Sequence, residues 1–189
     1  MIEVYTAATE EPVTIDEVMH ECRIDDYSYQ ESVRISRLIG DARAAVEQEL
    51  DRYLITQTLD AYFDSFDDVI KLQPLQSVTS ITYYDTEGTS QTLASDQYQV
   101  DAVSKPARIT PSYGNSWPST QARSNAVKVR FVAGYGSATD VPLCIKNWIL
   151  MTIKTSYDLH NETNTGRGDY IFQSRFIDRS LDSERVLGR

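Results

Sequence analysis

The sequence predicts an α+β fold: a small α-helical bundle, an antiparallel β subdomain inserted into it, and an extended C-terminal tail. Three observations carry this expectation. Apolar residues recur at helical spacing up to residue 53 and again from residue 142. Between those stretches the pattern shifts to period two, rich in Thr, Val and aromatic residues and punctuated by turn signals. After Asn161 periodicity is lost. The expected organisation is N-terminal bundle helices in 1–54, a β-rich insert in 55–136, a C-terminal bundle helix in 137–160 and a tail in 161–189.

Each element has a local reason. Thr14-Ile15-Asp16-Glu17 reads as a capping box, in which Thr14 accepts from a free amide at the helix start and Glu17 reaches back. Ile15, Val18, Met19 and Cys22 then place a short helix over 14–22. Ser28 and Glu31 form a second box. Behind it Ile35, Leu38, Ile39, Ala42, Val46, Leu50 and Tyr53 make one apolar stripe, which predicts a long amphipathic helix over 29–53. In the insert, Ile55–Phe63, Val69–Leu72, Gln97–Val100 and Ala107–Thr110 read as strands. Val78–Tyr84, the turn Asp85-Thr86-Glu87-Gly88 and a return through Leu93 read as a hairpin. Val127, Val129, Phe131 and Ala133 alternate with Lys128, Arg130 and Val132, the pattern of a half-buried strand ending at Gly134-Tyr135-Gly136. Pro142 suits a first helical turn, and Ile145, Trp148, Ile149, Thr152, Ile153 and Tyr157 form the last stripe, over 142–160. The residues from 161 on are polar, then apolar without core-like spacing, then basic, which predicts a segment that orders on a partner.

Composition narrows the function. The formal net charge of −10 argues against a general nucleic-acid binder, which needs excess Lys and Arg to displace counterions. That charge is polarised: residues 1–101 hold 21 of the 28 acidic residues and 6 of the 18 basic ones. Either solvation or two faces of opposite sign accounts for this. Cys22 and Cys144 fall among apolar residues and are expected to be free thiols, since two cysteines in a chain this long make no disulfide framework. Met1–Tyr5 lacks the basic and apolar regions of a secretory signal, so synthesis in the cytoplasm is expected. The longest greasy run, Trp148–Ile153, is too short to span a bilayer, and no membrane partner is expected.

No set of residues carries a clear reaction. His20 and Cys22 offer one ligand pair, with Cys144 or His160 elsewhere, whereas structural zinc draws four ligands from paired short spacings. Gly134-Tyr135-Gly136 lacks the third glycine of a dinucleotide loop and reads as a structural turn. Asp25-Asp26 and Asp67-Asp68 read as solvated loops, because catalytic carboxylates need burial to shift their titration. No Gly-x-Ser-x-Gly elbow occurs. Arg167-Gly168-Asp169, an integrin-type tripeptide, is read as coincidental. Neither enzyme activity nor a cofactor nor a metal is expected. Tyr113 and Trp117, in the loop 111–120, form a possible contact with a carbohydrate or peptide, with Tyr135 a further aromatic.

The order of segments resembles the head-tail connector (adaptor) family of tailed phages. The likeness rests on Val13-Thr14-Ile15-Asp16-Glu17 leading to Arg23-Ile24-Asp25-Asp26, on Leu38-Ile39-Gly40-Asp41-Ala42-Arg43 and on Ile55-Thr56-Gln57-Thr58-Leu59. It continues through Ile70-Lys71-Leu72-Gln73-Pro74-Leu75-Gln76-Ser77-Val78, Tyr98-Gln99-Val100-Asp101 and Arg108-Ile109 ahead of Trp117-Pro118. It ends with Val129–Gly136 running into Val141–Lys146, so it spans residues 12–160 and leaves the tail the part least matched.

The resemblance implies a structural virion protein at the head-tail interface. Its subunits would form a homo-oligomeric ring on the portal protein, with the portal's twelvefold symmetry. The ring would extend the channel through which double-stranded DNA passes without specific binding. It would also dock a tail-side neck protein, a stopper or a tail terminator. The tail would reach the portal, with Tyr170, Ile171, Phe172, Phe176 and Ile177 as apolar anchors and Arg175 and Arg179 as charge partners. The other reading is a β-subdomain binding module for a carbohydrate or peptide, built on Tyr113 and Trp117.

Overall fold

The computed structural model describes residues 1–24, 28–66, 70–72, 75–104, 106–161 and 181–182. The fold is α+β. The chain packs into two compact units, each assembled from two separate stretches. One, mainly β, comprises Met1–Thr9 and Thr56–Tyr135; the other, helical, comprises Glu10–Ile55 and Gly136–Arg189.

The helical unit contains α1 (Ile15–Cys22), α2 (Tyr29–Leu50) and α3 (Leu143–Asn161), which contact one another pairwise. The Thr14 box forms as expected: the Thr14 amide donates to Glu17 Oε2 (2.6 Å) and the Glu17 amide to Thr14 Oγ1 (3.2 Å). At α2 the Glu31 amide donates to Ser28 Oγ (3.2 Å), while the Glu31 carboxylate lies 3.5 Å from Arg34. Both helices end on a residue in the left-handed region, Arg23 (φ 54°) and Asp51 (φ 53°). In each the next amide reaches back to the last turn, Ile24 to Met19 O and Arg52 to Glu47 O, both at 3.0 Å. This stop explains why α2 ends at Leu50 rather than at 53: Asp51 turns the chain so that Leu54 and Ile55 enter the core from a loop.

The stripe of α2 is buried as its spacing requires, through Ile35, Ile39, Ala42, Val46 and Leu50. It shares the unit's core with Ile145, Ile149 and Ile153 of α3. Each of the Ile, Val and Leu side chains contributes about 1.5–3 kcal/mol by leaving water. Polar ties surround this core. Arg43 sits between Glu11 (2.8 Å) and Glu47 (3.6 Å), and the Leu54 amide donates to Glu47 Oε1 (2.9 Å). Burial pushes the Glu47 carboxyl above its ordinary value. Lys154 pairs with Glu21 (3.1 Å), and the Arg34 guanidinium lies over the Tyr157 ring at 4.7 Å. Leu181 is fully buried.

Among the described residues the β unit has eight strands: β1 (Ile2–Thr6), β2 (Gln57–Phe63), β3 (Ile70–Leu72), β4 (Leu75–Tyr84), β5 (Ser90–Leu93), β6 (Tyr98–Asp101), β7 (Ala107–Pro111) and β8 (Val127–Ala133). They form an antiparallel five-stranded sheet of order β1-β2-β8-β4-β5 and a three-stranded sheet of order β3-β7-β6. In the larger sheet one face buries Leu59, Phe131, Ala61, Val129 and Ile81, which the register sets side by side. Ile70, Leu72, Ala107 and Ile109 of the smaller sheet are also buried. The hairpin turn is held by Asp85, whose carboxylate accepts from the amides of Glu87 (3.0 Å) and Thr89 (2.9 Å), with Gly88 at φ 83°.

The N-terminal boundary differs from the expected one. The sequence pattern assigns residues 1–9 to the bundle segment 1–54, yet they belong to the β unit, because Ile2–Thr6 hydrogen-bonds to β2. The turn at Gly134-Tyr135-Gly136 is structural. Gly136 has φ 143°, and a Cβ there would land on the Asp140 carboxylate, which accepts from the Ser137 amide (2.8 Å) and hydroxyl (2.7 Å).

Two glycines therefore have opposite expected responses to alanine. Gly40 lies inside α2 with open space around the site, so Gly40→Ala should stabilise by roughly 0.5–1 kcal/mol. Gly136→Ala should destabilise by about 1–3 kcal/mol through backbone strain, before any clash with Asp140. Urea midpoints at constant m-value check both signs.

Candidate assembly surfaces

The outer face of the five-stranded sheet carries its charged residues, because β2 and β8 turn alternate side chains away from the buried face. Asp60 and Arg130 are direct cross-strand partners. Arg130 Nε and Nη2 each donate to an Asp60 carboxylate oxygen at 2.7 Å, a bidentate pair. Lys128 lies 4.0 Å from the same carboxylate. The Arg130 guanidinium stands 3.4 Å from the centre of the Tyr5 ring. One cation on the central strand thus ties together β8, β2 and β1. The hydrogen bond from Arg130 lowers the Asp60 carboxyl, and the same bond raises the guanidinium. Partial burial first, then the negative charges of Glu3 and Asp60, raise the Tyr62 hydroxyl.

The strand β1 is exposed along its whole length, including Ile2 (48%), Val4 (51%) and Tyr5 (60%). It pairs with β2 on one side, and among the described residues no strand lies on its other side. The opposite edge of the sheet is β5, whose Ser90, Gln91 and Thr92 are exposed.

Sequence reasoning singles out Tyr113 and Trp117, and the structure gives them different surroundings. Tyr113 is completely exposed. Trp117 is half-buried and stacks on Phe66 (centroids 4.8 Å apart, planes 8° apart), which in turn meets Tyr83 edge-on at 5.6 Å. One face of the indole is therefore occupied from within the unit. The same loop is fastened by Arg123 over the Tyr84 ring (4.1 Å), by Gln121 N–H to Tyr84 O (3.1 Å) and by Asn125 N–H to Asp64 (2.8 Å). Tyr170, Ile171, Phe172, Arg175, Phe176, Ile177 and Arg179 lie outside the described residues, as do Asp25, Asp26, Asp67, Asp68 and the tripeptide 167–169. Cys22 and Cys144 are free and half-buried. Among the described residues no three His, Cys, Asp or Glu side chains group as a metal site, and no helix is long and apolar enough to cross a membrane.

Sequence reasoning misses β1 and the Asp60–Arg130–Tyr5 cluster. The alternation of Ile2 and Val4 with Glu3 and Tyr5 is a usable period-two signal. The cluster has none, because it depends on the strand register.

The pair has a pH signature. A carboxyl held below its unfolded value stabilises the fold above that value, and the contribution is lost as pH falls through the depressed one. Asp60→Asn should cost about 2 kcal/mol at neutral pH by removing the charged partner of Arg130. It should also flatten the loss of stability below pH about 4. Chemical denaturation of both proteins between pH 7 and pH 3 checks this, and an unchanged acid limb would assign that limb to other carboxylates.

Comparison with known proteins gives a fold likeness. No protein-family profile and no curated protein sequence matches the chain. Among solved structures, a chain in the neck of an empty gene transfer agent particle, computed with C6 symmetry, superposes with a TM-score of 0.77 at 17% identity. That match covers 100% of this chain and 97% of the other. A chain of the virion of a native gene transfer agent particle gives 0.75 at 19% identity, covering 100% and 98%. One from the neck of the native particle, computed with C12 symmetry, gives 0.69 at 19%, covering 100% and 97%. At these identities the likeness is one of fold, and it extends over both units.

Proposed function

We propose that this chain is a structural subunit of the head-to-tail neck of a phage-like virion. It acts as an adaptor, forming a ring on the portal vertex, extending the DNA channel and docking the tail-side neck protein. The observation that carries this reading is the full-length likeness to chains of a particle neck and virion, with 97–98% of those chains covered. The order of sequence blocks over residues 12–160 points the same way and is independent of the superposition. The C6 and C12 symmetries of those necks favour a cyclic ring, in which one surface of each subunit meets a different surface of the next. A formal charge of −10 suits a conduit for DNA, since like charge keeps the duplex sliding.

The tail is the proposed portal-docking segment, anchored by Tyr170, Ile171, Phe172, Phe176 and Ile177 with Arg175 and Arg179 as charge partners. Its ordering on the portal would make attachment conditional on that partner. The buried Leu181 bears on how this is tested, because truncating the chain after His160 would also strip a core side chain. A combined Tyr170→Ala, Phe172→Ala, Phe176→Ala variant leaves Leu181 in place. Full-length protein is expected to co-sediment with purified portal-bearing heads, and the triple variant to bind at least about tenfold more weakly. Failure of the unaltered protein to bind such heads overturns the adaptor reading. Undiminished binding by the triple variant moves the portal contact off the tail.

A further inference from the structure

The proposed ring needs two different surfaces on each subunit, and among the described residues neither edge strand of the five-stranded sheet has a partner on its outer side. We propose that the outer edge of β1 in one copy pairs with the outer edge of β5 in the next copy, so that the sheet continues from subunit to subunit. This rests on the ring reading of the preceding subsection and adds the contact that joins its subunits.

The hydrogen-bond pattern shows which groups each edge offers. Met1 and Tyr62 exchange both main-chain bonds: the Tyr62 amide donates to Met1 O (2.8 Å) and the Met1 amino group to Tyr62 O (3.3 Å). Paired residues alternate along an antiparallel ladder, so Glu3 also faces β2, and Ile2 and Val4 turn their N–H and C=O groups to the open side. At the other edge the Asp85 amide donates to Thr89 O (3.0 Å), which sets the same alternation in the hairpin. Tyr83–Gln91 and Ile81–Leu93 are then the bonded pairs, and Ser90 and Thr92 face outward. Among the described residues each edge thus presents two residues whose outward main chain meets no partner strand. The ladder shifts register between Val4 and Thr6, which limits the free stretch of β1 to its first residues.

Charge favours a second copy as the occupant. In a chain of net charge −10 most surface-to-surface contacts between copies repel, yet β1 carries one charged residue, Glu3, and β5 carries none. Neither edge has the Lys or Pro that usually blocks edge-to-edge pairing. The side chains of Ile2 and Val4, about half exposed, supply apolar area that would be covered. Topology then fixes the direction. In an antiparallel sheet of five strands the two edge strands run the same way, so β1 and the neighbour's β5 pair in parallel. A two-fold contact of β1 with its own copy would be antiparallel.

Val4→Pro and Thr92→Pro each remove one outward N–H and spare the subunit's own ladder. Both variants are expected to keep the wild-type circular dichroism spectrum and to lose ring formation on portal-bearing heads by at least about tenfold. Glu3 and Thr92 project from the same face of the sheet, so in a Cys22→Ala, Cys144→Ala background Glu3→Cys combined with Thr92→Cys is expected to oxidise on those heads into a covalent ladder of subunits, while each single cysteine variant stays uncrosslinked. Rings that form normally from both proline variants overturn the contact and leave the adaptor reading standing. Dimers from Glu3→Cys alone, or its crosslinking to the portal, overturn it in favour of a two-fold pair or a different occupant. Failure of the wild-type chain to form rings overturns both.

Discussion

The structure depends on the return of the chain to its helical unit after the β-rich insert. The chain leaves the helical unit after Ile55 and returns at Gly136, and these two residues form a parallel bridge. Just beyond them, on the β side, Gln57 pairs with Ala133 at the start of the β2–β8 ladder. The Gln76 side chain joins the outgoing and returning strands there, donating to Thr56 Oγ1 (3.0 Å) and to Gly134 O (2.9 Å). With the ends of the insert held together, its roughly eighty residues act as one long closed loop, and closure entropy grows only slowly with length. Helix α3 can then complete the bundle although the whole β-rich insert separates it from α2.

The β unit shows a second economy of the same kind. Its central strand β8 buries Val127, Val129, Phe131 and Ala133 on one face and turns Lys128 and Arg130 to the other. Arg130 uses that outward position to hold Asp60 and Tyr5, from the two strands next in order. The edge strand β1 has little burial of its own, so this cation and the ladder to β2 are what keep it in the sheet.

Much of the fold is legible in the sequence where local chemistry decides it. The Thr14 box, the α2 stripe, the Asp85–Gly88 turn and the extent of β8 follow from short-range spacing and are present. The end of α2 is not legible, because Asp51 adopts a left-handed conformation that sequence rules assign to glycine. Placing Met1–Thr9 with the β unit needs a pairing across more than fifty residues, and no local rule reaches that far. Of the site, Trp117 is found by residue type, but Phe66, which covers one of its faces, is not. Asp60 and Arg130 are 70 positions apart, so only the register discloses their pairing.

The role proposed for this chain, a repeated subunit of a particle neck, rests on a fold likeness that spans both units. The most direct test is electron cryo-microscopy of portal-bearing heads incubated with the purified protein. The account predicts a ring of added density at the single portal vertex, coaxial with the DNA channel and following a cyclic symmetry, into which both units fit. Density spread over the capsid surface, or bare portals at saturating protein, would contradict it.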